Sequence, residues 1–351
     1  MQVSTRVQRL LGQFQQTSLC QYQLQLRAFA AASGQLEAIR TLRESTSAPI
    51  TDVKKALVEA SWNVEEAYKA LRKKGIAAAS KKASRHAAEG LIGIALDGNA
   101  AAIVEVNSET DFATKTEQFQ SMVQSVAAAA LASEEAGSGR IESNALASCS
   151  TAQGSSVADA ITDCAGTVRE NIQLRRAHRL VCPSGVIASY LHASSAPGLG
   201  KMGALVALTD RKGALNAESA SKVQELGSSI AMHIVATRPL SLDKKSVPAE
   251  ALEAERKLFT EQAERSGKPA NIIERMVAGR LHKFYEDNCL LEQRFVKDDS
   301  KKVSEVLKEA GKAVGADLEI QEFVRLQCGE GLDKEQSSFA DDVAQALQQT
   351  G

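Results

Sequence analysis

Six consecutive residues stand out because their types and spacing suit recognition of another molecule. Asn107, Ser108, Glu109, Thr110, Asp111 and Phe112 follow a stretch that alternates like a strand and precede a stretch with helical spacing. Thr110 or Asp111 is of the type that caps a helix. Phe112 is then either the first core contact of that helix or an exposed anchor that enters a pocket on another protein.

The sequence lacks the patterns of covalent catalysis. It contains no GxxxxGK[ST] loop, no GxSxG, no HExxH, and no GxGxxG that opens a helix. Its histidines lie far apart along the chain, which favours ordinary hydrogen-bonding roles over metal ligation: His86, His178, His192, His233 and His282. We therefore expect no cofactor, no metal, and an activity that depends on binding and not on an enzymatic reaction.

The pattern of cysteines and of charges argues against several further classes of protein. The 6 cysteines are scattered without a CxxC pair, which indicates reduced thiols and not a zinc site or a disulfide framework. The 42 basic and 43 acidic residues nearly cancel. A nucleic-acid-binding protein carries a basic face, so we expect no direct contact with nucleic acid. No apolar run approaches the roughly 20 residues that span a bilayer, so we expect no membrane insertion.

The N-terminal segment resembles an organelle-targeting sequence. Residues 1–36 contain no acidic residue but include Arg6, Arg9 and Arg27, with apolar residues at helical spacing. This pattern predicts a mitochondrial presequence over residues 1–33, cleaved after Phe29. A disordered tail and a chloroplast transit peptide are the alternatives. The mature protein is then expected in the mitochondrial matrix.

The elements that must position these residues follow from hydrophobic periodicity. Residues 36–75 predict three short helices, with Pro49 before the second, Asn63 capping the third and Gly75 ending it. Residues 76–89 predict a linker. Residues 90–97 and 101–106 predict a β-hairpin, and a helix is expected around 119–126. Residues 133–166 are rich in Ser, Ala and Gly, which predicts a surface excursion with one short helix at 157–161.

The rest of the chain repeats the mixed pattern. Four strands are expected, at residues 179–182, 186–192, 203–208 and 318–327. Three helices are expected at 223–235, 249–264 and 271–287, and a closing helix is expected at 339–347. A further helix is expected at 303–310. The two helical runs within 249–288 predict an antiparallel helical hairpin. It is either a core pair or, given its many charges, a projection.

Several short motifs resemble the elongation factor Ts family, in family order over nearly all of residues 36–348. Asn107 to Phe112 fit the frame N-x-x-T-D-F, and Asp52 to Leu57 fit D-x-K-K-A-L. The later matches include R-E-N-I from Arg169, A-M-H-I from Ala231, S-G-K-P from Ser266 and F-V-K-D-D-S from Phe295. Any one of these motifs is weak, but together they are specific.

The resemblance implies an α+β fold. Its expected parts are a ubiquitin-associated-like (UBA-like) three-helix domain over 36–75 and a core of two halves at 90–192 and 193–348. Each half is expected to have a small three-stranded antiparallel sheet packed by helices. The helical hairpin at 249–288 is expected to project from the second half.

The resemblance also implies guanine-nucleotide exchange on elongation factor Tu, here the organellar GTPase. Asp111 and Phe112 would intrude into that partner and disturb its magnesium site. His192 fits the family frame S-Y-x-H and would contact the same GTPase domain. Arg43, Ile50 and Lys54 would contact it from the N-terminal domain, although Pro49-Ile50-Thr51 stands where bacterial members carry G-M-M. Whether a one-to-one complex or a dimer of complexes forms is left open.

A different class of function competes with this interpretation. A three-helix UBA-like domain also suits an adaptor that binds ubiquitin or another small partner without exchange activity. Such an adaptor would need neither the Asp111-Phe112 pair nor the sheet core beyond residue 90. These two features favour the exchange factor.

Overall fold

The computed structural model describes residues 34–46, 48–80, 85–133, 137–213, 215, 217–265 and 269–332. The chain forms two compact units. Of the described residues, the first unit comprises those up to residue 80 together with Ala165–Arg169, and the second comprises those from 85 to 164 and from 170 to 332. The predicted presequence at 1–33 and the predicted closing helix at 339–347 lie outside the described residues.

Three helices form the N-terminal part of the first unit: α1 at residues 34–46, α2 (Ile50–Glu59) and α3 (Val64–Ser80). Asn63 caps α3 as predicted, because its Oδ1 accepts hydrogen bonds from the N–H groups of Glu65 and Glu66 at 3.0 and 3.2 Å. The apolar faces of the helices meet in one small core, made of Ile39, Leu42, Val53, Ala56, Leu57, Ala67 and Leu71.

The prediction that Gly75 ends the third helix is wrong. Helix α3 continues to Ser80, so residues 76–80 are helical and do not begin a linker. The glycine serves packing instead. A Cβ on Gly166 would lie only 3.2 Å from the Cα of Gly75, so the end of the later helix α7 (Val157–Val168) meets α3 where neither has a side chain.

The second unit opens with the predicted hairpin. Strands β1 (Glu89–Asp97) and β2 (Ala100–Ser108) are antiparallel, with Asp97 paired to Ala100 around Gly98 at a φ of 55°. After β2 come the short helix α4 (Asp111–Thr114) and the longer α5 (Glu117–Ala132). Helix α5 packs on β1 and β2 through a face that includes Phe119, Val123 and Val126, all fully buried.

The first sheet is larger than the three strands that the family resemblance implies. It has five antiparallel strands in the order β3-β4-β2-β1-β6. The added edge strands are β3 (Gly139–Ile141) and β6 (Leu199–Gly200), and β4 (Gln173–Val181) begins six residues before the predicted strand at 179–182.

The segment at 133–166 is not simply a surface excursion. It contains β3, helix α6 (Ser143–Ser148) and α7, which is longer than the predicted helix at 157–161. Ile141, Leu146 and Val157 are buried, so sparse apolar residues are enough to fix this segment in the core.

The second sheet has three antiparallel strands in the order β10-β7-β5, comprising β5 (Gly185–His192), β7 (Met202–Asp210) and β10 (Leu318–Gln327). The predicted boundary at 192/193 does not separate the sheets. Strand β5 lies before that boundary but belongs to the second sheet, and β6 lies after it but pairs with β1 of the first. The chain therefore crosses between the sheets twice within residues 185–210.

The two sheets pack face to face. Ile92, Ile103 and Leu180 of the first sheet meet Ile187, Leu205 and Leu326 of the second. The other face of the second sheet is covered by helices α8 (Ala217–Thr237) and α11 (Val303–Val314) through Leu208, Ile230 and Leu307. The second unit is thus layered helix, sheet, sheet, helix, and the expected mixed α+β class with small antiparallel sheets is confirmed.

Two long helices, α9 (Ala249–Glu264) and α10 (Ala270–Asn288), pack against each other. Arg280 of α10 donates to the Oε1 of Gln262, and its guanidinium lies 5.7 Å from the centre of the Phe259 ring. Ala263 and Val277 are the residues of this described pair that are buried. A two-stranded hairpin follows, formed by β8 (Arg294–Phe295) and β9 (Asp298–Lys302), which the sequence analysis did not predict. Every described helix is too short or too polar to cross a membrane.

Candidate functional site

Phe112 projects from the surface of the second unit. It is the second residue of α4, and 75% of its surface is exposed. The interpretation of Phe112 as a core contact is therefore wrong. The neighbouring Ala113 and Thr114 are buried instead, so the short helix turns its small residues inward and its aromatic ring outward. We call residues 108–114 the Phe112 corner.

Hydrogen bonds between side-chain hydroxyl groups and the backbone fix the conformation of the Phe112 corner. Thr110 is the N-cap of α4, and its Oγ1 accepts from the N–H of Ala113 at 3.3 Å, which confirms one of the two predicted caps. Ser108 Oγ donates to the carbonyl of Thr110 at 3.0 Å, and Thr114 Oγ1 donates to the carbonyl of Asp111 at 2.7 Å. Three backbone groups at a sharp turn are satisfied in this way without a neighbouring strand.

The side chain of Lys115 contacts both Asp111 and Phe112. Lys115 Nζ lies 2.8 Å from Asp111 Oδ2 and 5.2 Å from the centre of the Phe112 ring, within cation–π range. The hydrogen bond from Lys115 lowers the pKa of the Asp111 carboxyl, and the charge of Lys201 lowers it further. Asp111 therefore stays ionised at neutral pH.

Two glutamates tie the Phe112 corner to a distant segment, and we call them the crossed carboxylates. Glu170 accepts from the backbone N–H of Thr110 at 2.9 Å and from Thr110 Oγ1 at 2.6 Å. In the opposite direction, Glu109 accepts from the backbone N–H of Asn171 at 2.6 Å and pairs with Arg85 at 3.3 Å. The sequence analysis missed both glutamates, although R-E-N-I from Arg169 was among its matched motifs.

His192 ends β5 and is exposed. Its Nδ1 lies 3.4 Å from the hydroxyl of Tyr190, and its carbonyl accepts from the N–H of Lys201 at 3.0 Å. Lys201 in turn places its Nζ 3.1 Å from Glu89, which is paired with Ser108 of the Phe112 corner. The structure thus brings His192, Asp111 and Phe112 to the same end of the second unit.

Arg43, Ile50 and Lys54 belong to the first unit. Arg43 and Ile50 line one shallow cavity of about 320 Å³ together with Leu36, Ile39, Arg40 and Glu44. Ile50 is 51% exposed at the start of α2, and Lys54 is exposed one turn later. Ile50 therefore presents an apolar side chain near exposed cations on the surface of the first unit.

A buried ion cluster lies on β2, three residues before the Phe112 corner begins, and the sequence analysis did not predict it. Glu105 of β2 has 0% exposure, and its carboxylate pairs with Arg175 at 3.0 Å and with Arg176 at 2.5 Å. It also accepts from the N–H of Gly329 at 2.8 Å, just beyond the end of β10. One carboxylate thus joins β2, β4 and the turn after β10.

The remaining titratable groups do not assemble into a chemical site. Among the described residues, no group of three or more His, Cys, Asp or Glu side chains is placed to hold a metal ion. His233 is fully buried, where its Nδ1 accepts from the N–H of Val296 at 3.2 Å and its Nε2 lies 3.0 Å from Gln293 Oε1. Burial lowers the pKa of His233, so the ring is neutral and structural.

Comparison with known proteins gives one consistent family. A family model described as Elongation factor TS matches residues 109–330, which begin within the Phe112 corner. The chain is 48% identical over 309 residues to elongation factor Ts of Rhodospirillum rubrum, an alignment that covers 88% of this chain and 97% of the relative. It is similar in the same way to elongation factor Ts of Paramagnetospirillum magneticum (48% identical; 87% and 95% covered) and of Rhizobium etli strain CFN 42 (46% identical; 88% and 97% covered).

Proposed function

Since the chain belongs to the elongation factor Ts family, we propose that it releases GDP from elongation factor Tu by inserting the Phe112 corner beside the bound nucleotide. The exchange activity on elongation factor Tu follows from membership of the family. The manner of release is the part that we propose for this chain. It requires no covalent step, because a partner only has to be bound more tightly when its nucleotide is absent.

The free energy for release comes from linkage. A factor that binds nucleotide-free elongation factor Tu more tightly than its GDP form must weaken GDP by the same ratio. The magnesium ion beside the phosphates is a large local charge, so displacing its ligands removes much of the affinity for GDP. Phe112 supplies the difference by filling space that opens more fully in the nucleotide-free form than in the GDP form.

The exposure of Phe112 is the observation that carries this proposal. A large aromatic side chain that is three-quarters exposed on a hydrogen-bonded turn gains nothing for its own fold. Buried aromatic residues dominate the energy of protein interfaces, so the same ring becomes an anchor in a complex. The neighbouring ion pair of Asp111 and Lys115 places two charges next to the ring, where they can interact with polar groups of the partner.

Further contacts belong to the same proposal. His192 lies at the same end of the second unit and is proposed to contact the GTPase domain as well. The UBA-like domain is proposed to dock through Arg43, Ile50 and Lys54, and the pair α9 and α10 to project as a hairpin toward another part of elongation factor Tu. The adaptor alternative is set aside, because the family match extends over the sheet core.

Replacing Phe112 tests the proposal directly. We expect Phe112→Ala to slow the release of fluorescent GDP from elongation factor Tu by a factor of about 30 or more, since an interface anchor is worth about 2 kcal/mol or more. The midpoint of urea unfolding should not change, because the ring is exposed. Stopped-flow fluorescence measures the release.

Leu96→Ala is the matched control. Leu96 is a 50% exposed apolar residue near the turn of the β1–β2 hairpin, at the end of β2 opposite to the Phe112 corner. Its replacement by alanine removes exposed apolar surface without touching that corner. Equal release rates for Phe112→Ala and the unmodified protein would refute the insertion mechanism.

We also propose that the protein works in mitochondria, on the organellar elongation factor Tu. The support is the acid-free, arginine-bearing segment of residues 1–36, since the relatives compared are bacterial and carry no information on a presequence. Import of the radiolabelled precursor into isolated mitochondria, followed by N-terminal sequencing, tests this. A mature chain that begins after Phe29 is expected, and a chain that is neither imported nor shortened would refute the proposal.

A further inference from the structure

We infer that Glu170, assisted by Glu109, is a positioning residue for nucleotide exchange, because it sets the direction in which Phe112 points. The inference rests on the proposed function, since it concerns how Phe112 is presented to elongation factor Tu. The crossed carboxylates do not themselves reach the exposed ring. Glu170 acts on Thr110, which caps the helix that carries the ring, and Glu109 holds the N–H of the neighbouring Asn171.

The first step is the orientation of one hydroxyl group. The hydroxyl of Thr110 has a single proton, and it donates this proton in a hydrogen bond of 2.6 Å to Glu170 Oε1. The lone pairs of Oγ1 are then free to accept from the N–H of Ala113 at 3.3 Å. Without Glu170 the hydroxyl could turn its proton elsewhere and the cap would weaken.

The second step is the dependence of α4 on that cap. A helix of four residues is far too short to be stable by itself, so its direction is set by the groups at its ends. Glu170 also accepts from the backbone N–H of Thr110 at 2.9 Å, which fixes the residue just before the helix. Phe112 is only two residues further, so a rotation of the cap displaces its ring.

The third step is the anchoring of Glu170 itself. The adjacent N–H of Asn171 is held by Glu109 at 2.6 Å, and the side chain of Asn171 donates to the carbonyl of Arg85 at 2.6 Å. Asn171 is buried. Each glutamate therefore holds the backbone beside the other, and the two segments fix each other although they lie 60 residues apart.

The experiment compares Glu170→Ala and Glu170→Gln with the unmodified full-length chain in the fluorescent GDP release assay. We expect Glu170→Ala to slow release by about tenfold or more, since hydrogen bonds to a charged group shift populations by about that much. Glu170→Gln keeps one acceptor oxygen for Thr110, so it should recover much of the rate. It also guards against a failure of Glu170→Ala to fold.

A matched control separates positioning from general stability. Glu319 of β10 likewise accepts from two groups, Arg211 at 2.5 Å and Thr209 at 3.5 Å, but it lies in the second sheet. We expect Glu319→Ala to lower the unfolding midpoint without slowing GDP release. Equal slowing by both alanine variants would overturn the inference.

A double substitution shows whether Glu170 acts through Phe112. If it does, Phe112→Ala/Glu170→Ala should be no slower than Phe112→Ala alone. Full additivity would overturn the inference. An unchanged rate for Glu170→Ala when Phe112→Ala is slow would overturn it too, while leaving the insertion mechanism in place. An unchanged rate for Phe112→Ala would refute the insertion mechanism, and with it this inference.

Fluorine NMR reports the orientation of the ring at position 112, and a loss of stability alone would not change this signal in the folded protein. With 4-fluorophenylalanine at position 112, we expect Glu170→Ala to shift the resonance and change its width in the folded free protein, because the ring samples more orientations. Glu319→Ala should leave that signal unchanged. A signal identical in the Glu170→Ala variant and the unmodified protein would count against positioning.

Discussion

Glu105 shows how a single charged residue can hold distant parts of the chain together. Its carboxylate is completely buried among Arg175, Arg176 and the N–H of Gly329. Each arginine also donates to a carbonyl near the end of β10: Arg175 to Glu330 at 2.7 Å and Arg176 to Gln327 at 2.9 Å. Removal of the carboxylate would leave two guanidinium groups, exposed to only 25% and 24%, without their counter-charge.

We therefore predict that Glu105→Ala lowers the free energy of unfolding by about 3–5 kcal/mol, the range for breaking a buried ion pair from one side. Glu105→Gln should cost less, because its amide oxygen still accepts a hydrogen bond. Urea unfolding measures both. Glu218→Ala, which breaks only the exposed pair with Lys222, should change stability by less than about 1 kcal/mol. An equally small effect of Glu105→Ala would contradict the structural role of the cluster.

At the residue scale, the sequence was informative where a motif is local. Thr110 as one of two candidate caps follows from six adjacent residues, whereas the roles of Asp111 and Phe112 rest on the family resemblance and are proposals. The exposure of Phe112 did not follow from spacing, because the same spacing fits a core contact. Glu105, Glu109 and Glu170 were missed because their named partners, Arg85 excepted, lie 60 residues or more away along the chain. Single-sequence periodicity carries no such information.

Helix α8 packs unusually closely on the second sheet at Gly227. A Cβ at this position would lie 2.5 Å from the Cβ of Ala188 and 2.8 Å from Cδ1 of Leu208. Gly279 of α10 is the natural comparison, because a Cβ there would meet no atom within 4 Å. The two glycines are both inside helices but have opposite surroundings.

We predict that Gly227→Ala destabilises the protein by about 1–3 kcal/mol through overpacking, despite the higher helix propensity of alanine. Gly279→Ala should instead stabilise α10 by about 0.5–1 kcal/mol, because it relieves the conformational cost of glycine without a clash. Thermal unfolding of the two variants measures the difference. Stabilisation by both substitutions would show that propensity, and not packing, governs these positions.

At the element scale, long amphipathic stretches were predicted well. The helix at 249–264 and the strand at 318–327 coincide with α9 and β10. Gly75 was misread because a glycine that ends a helix and one that permits close helix packing look alike in sequence. The difference is Gly166, which lies some 90 residues further on. The segment at 133–166 was misread because a few apolar residues among many small ones give no clear period.

One buried histidine, His233, and one half-buried histidine, His178, make the stability of the folded chain sensitive to acid. The pKa of His233 is lowered mainly by burial, and that of His178 by burial and then by the charges of Arg140 and Arg176. Protons therefore bind more readily to the unfolded chain than to the folded one. Stability is fully present above the unfolded pKa of about 6.5 and is lost as the pH falls toward the folded values.

We predict that the free energy of unfolding falls between about pH 6.5 and pH 5, with a slope of at most about 1.4 kcal/mol per pH unit for each histidine. His233→Gln should lower stability at pH 7.5, since it disturbs the bond to Val296, but it should flatten the slope. Urea unfolding at a series of pH values tests both parts. An unchanged slope would mean that His233 is not responsible.

At the scale of the whole molecule, the mixed α+β class was predictable but the division into halves was not. Strand β5 and the short β6 are adjacent in sequence, yet they belong to different sheets. A boundary drawn between them follows a loop rich in Pro and Gly, which is the usual signal of a linker. Here the same composition serves a tight crossing between two packed layers.

The contact between Glu105 and Gly329 has a consequence for synthesis of the chain. The two residues lie 224 positions apart, so the second one leaves the ribosome long after β1, β2 and β4. Until then the first sheet lacks one donor for its buried carboxylate, and the middle strand β7 lacks its neighbour β10. A nascent chain therefore cannot complete its core until residues 318–329 have left the ribosome, and a product truncated before residue 318 should be recognised by proteases as unfinished.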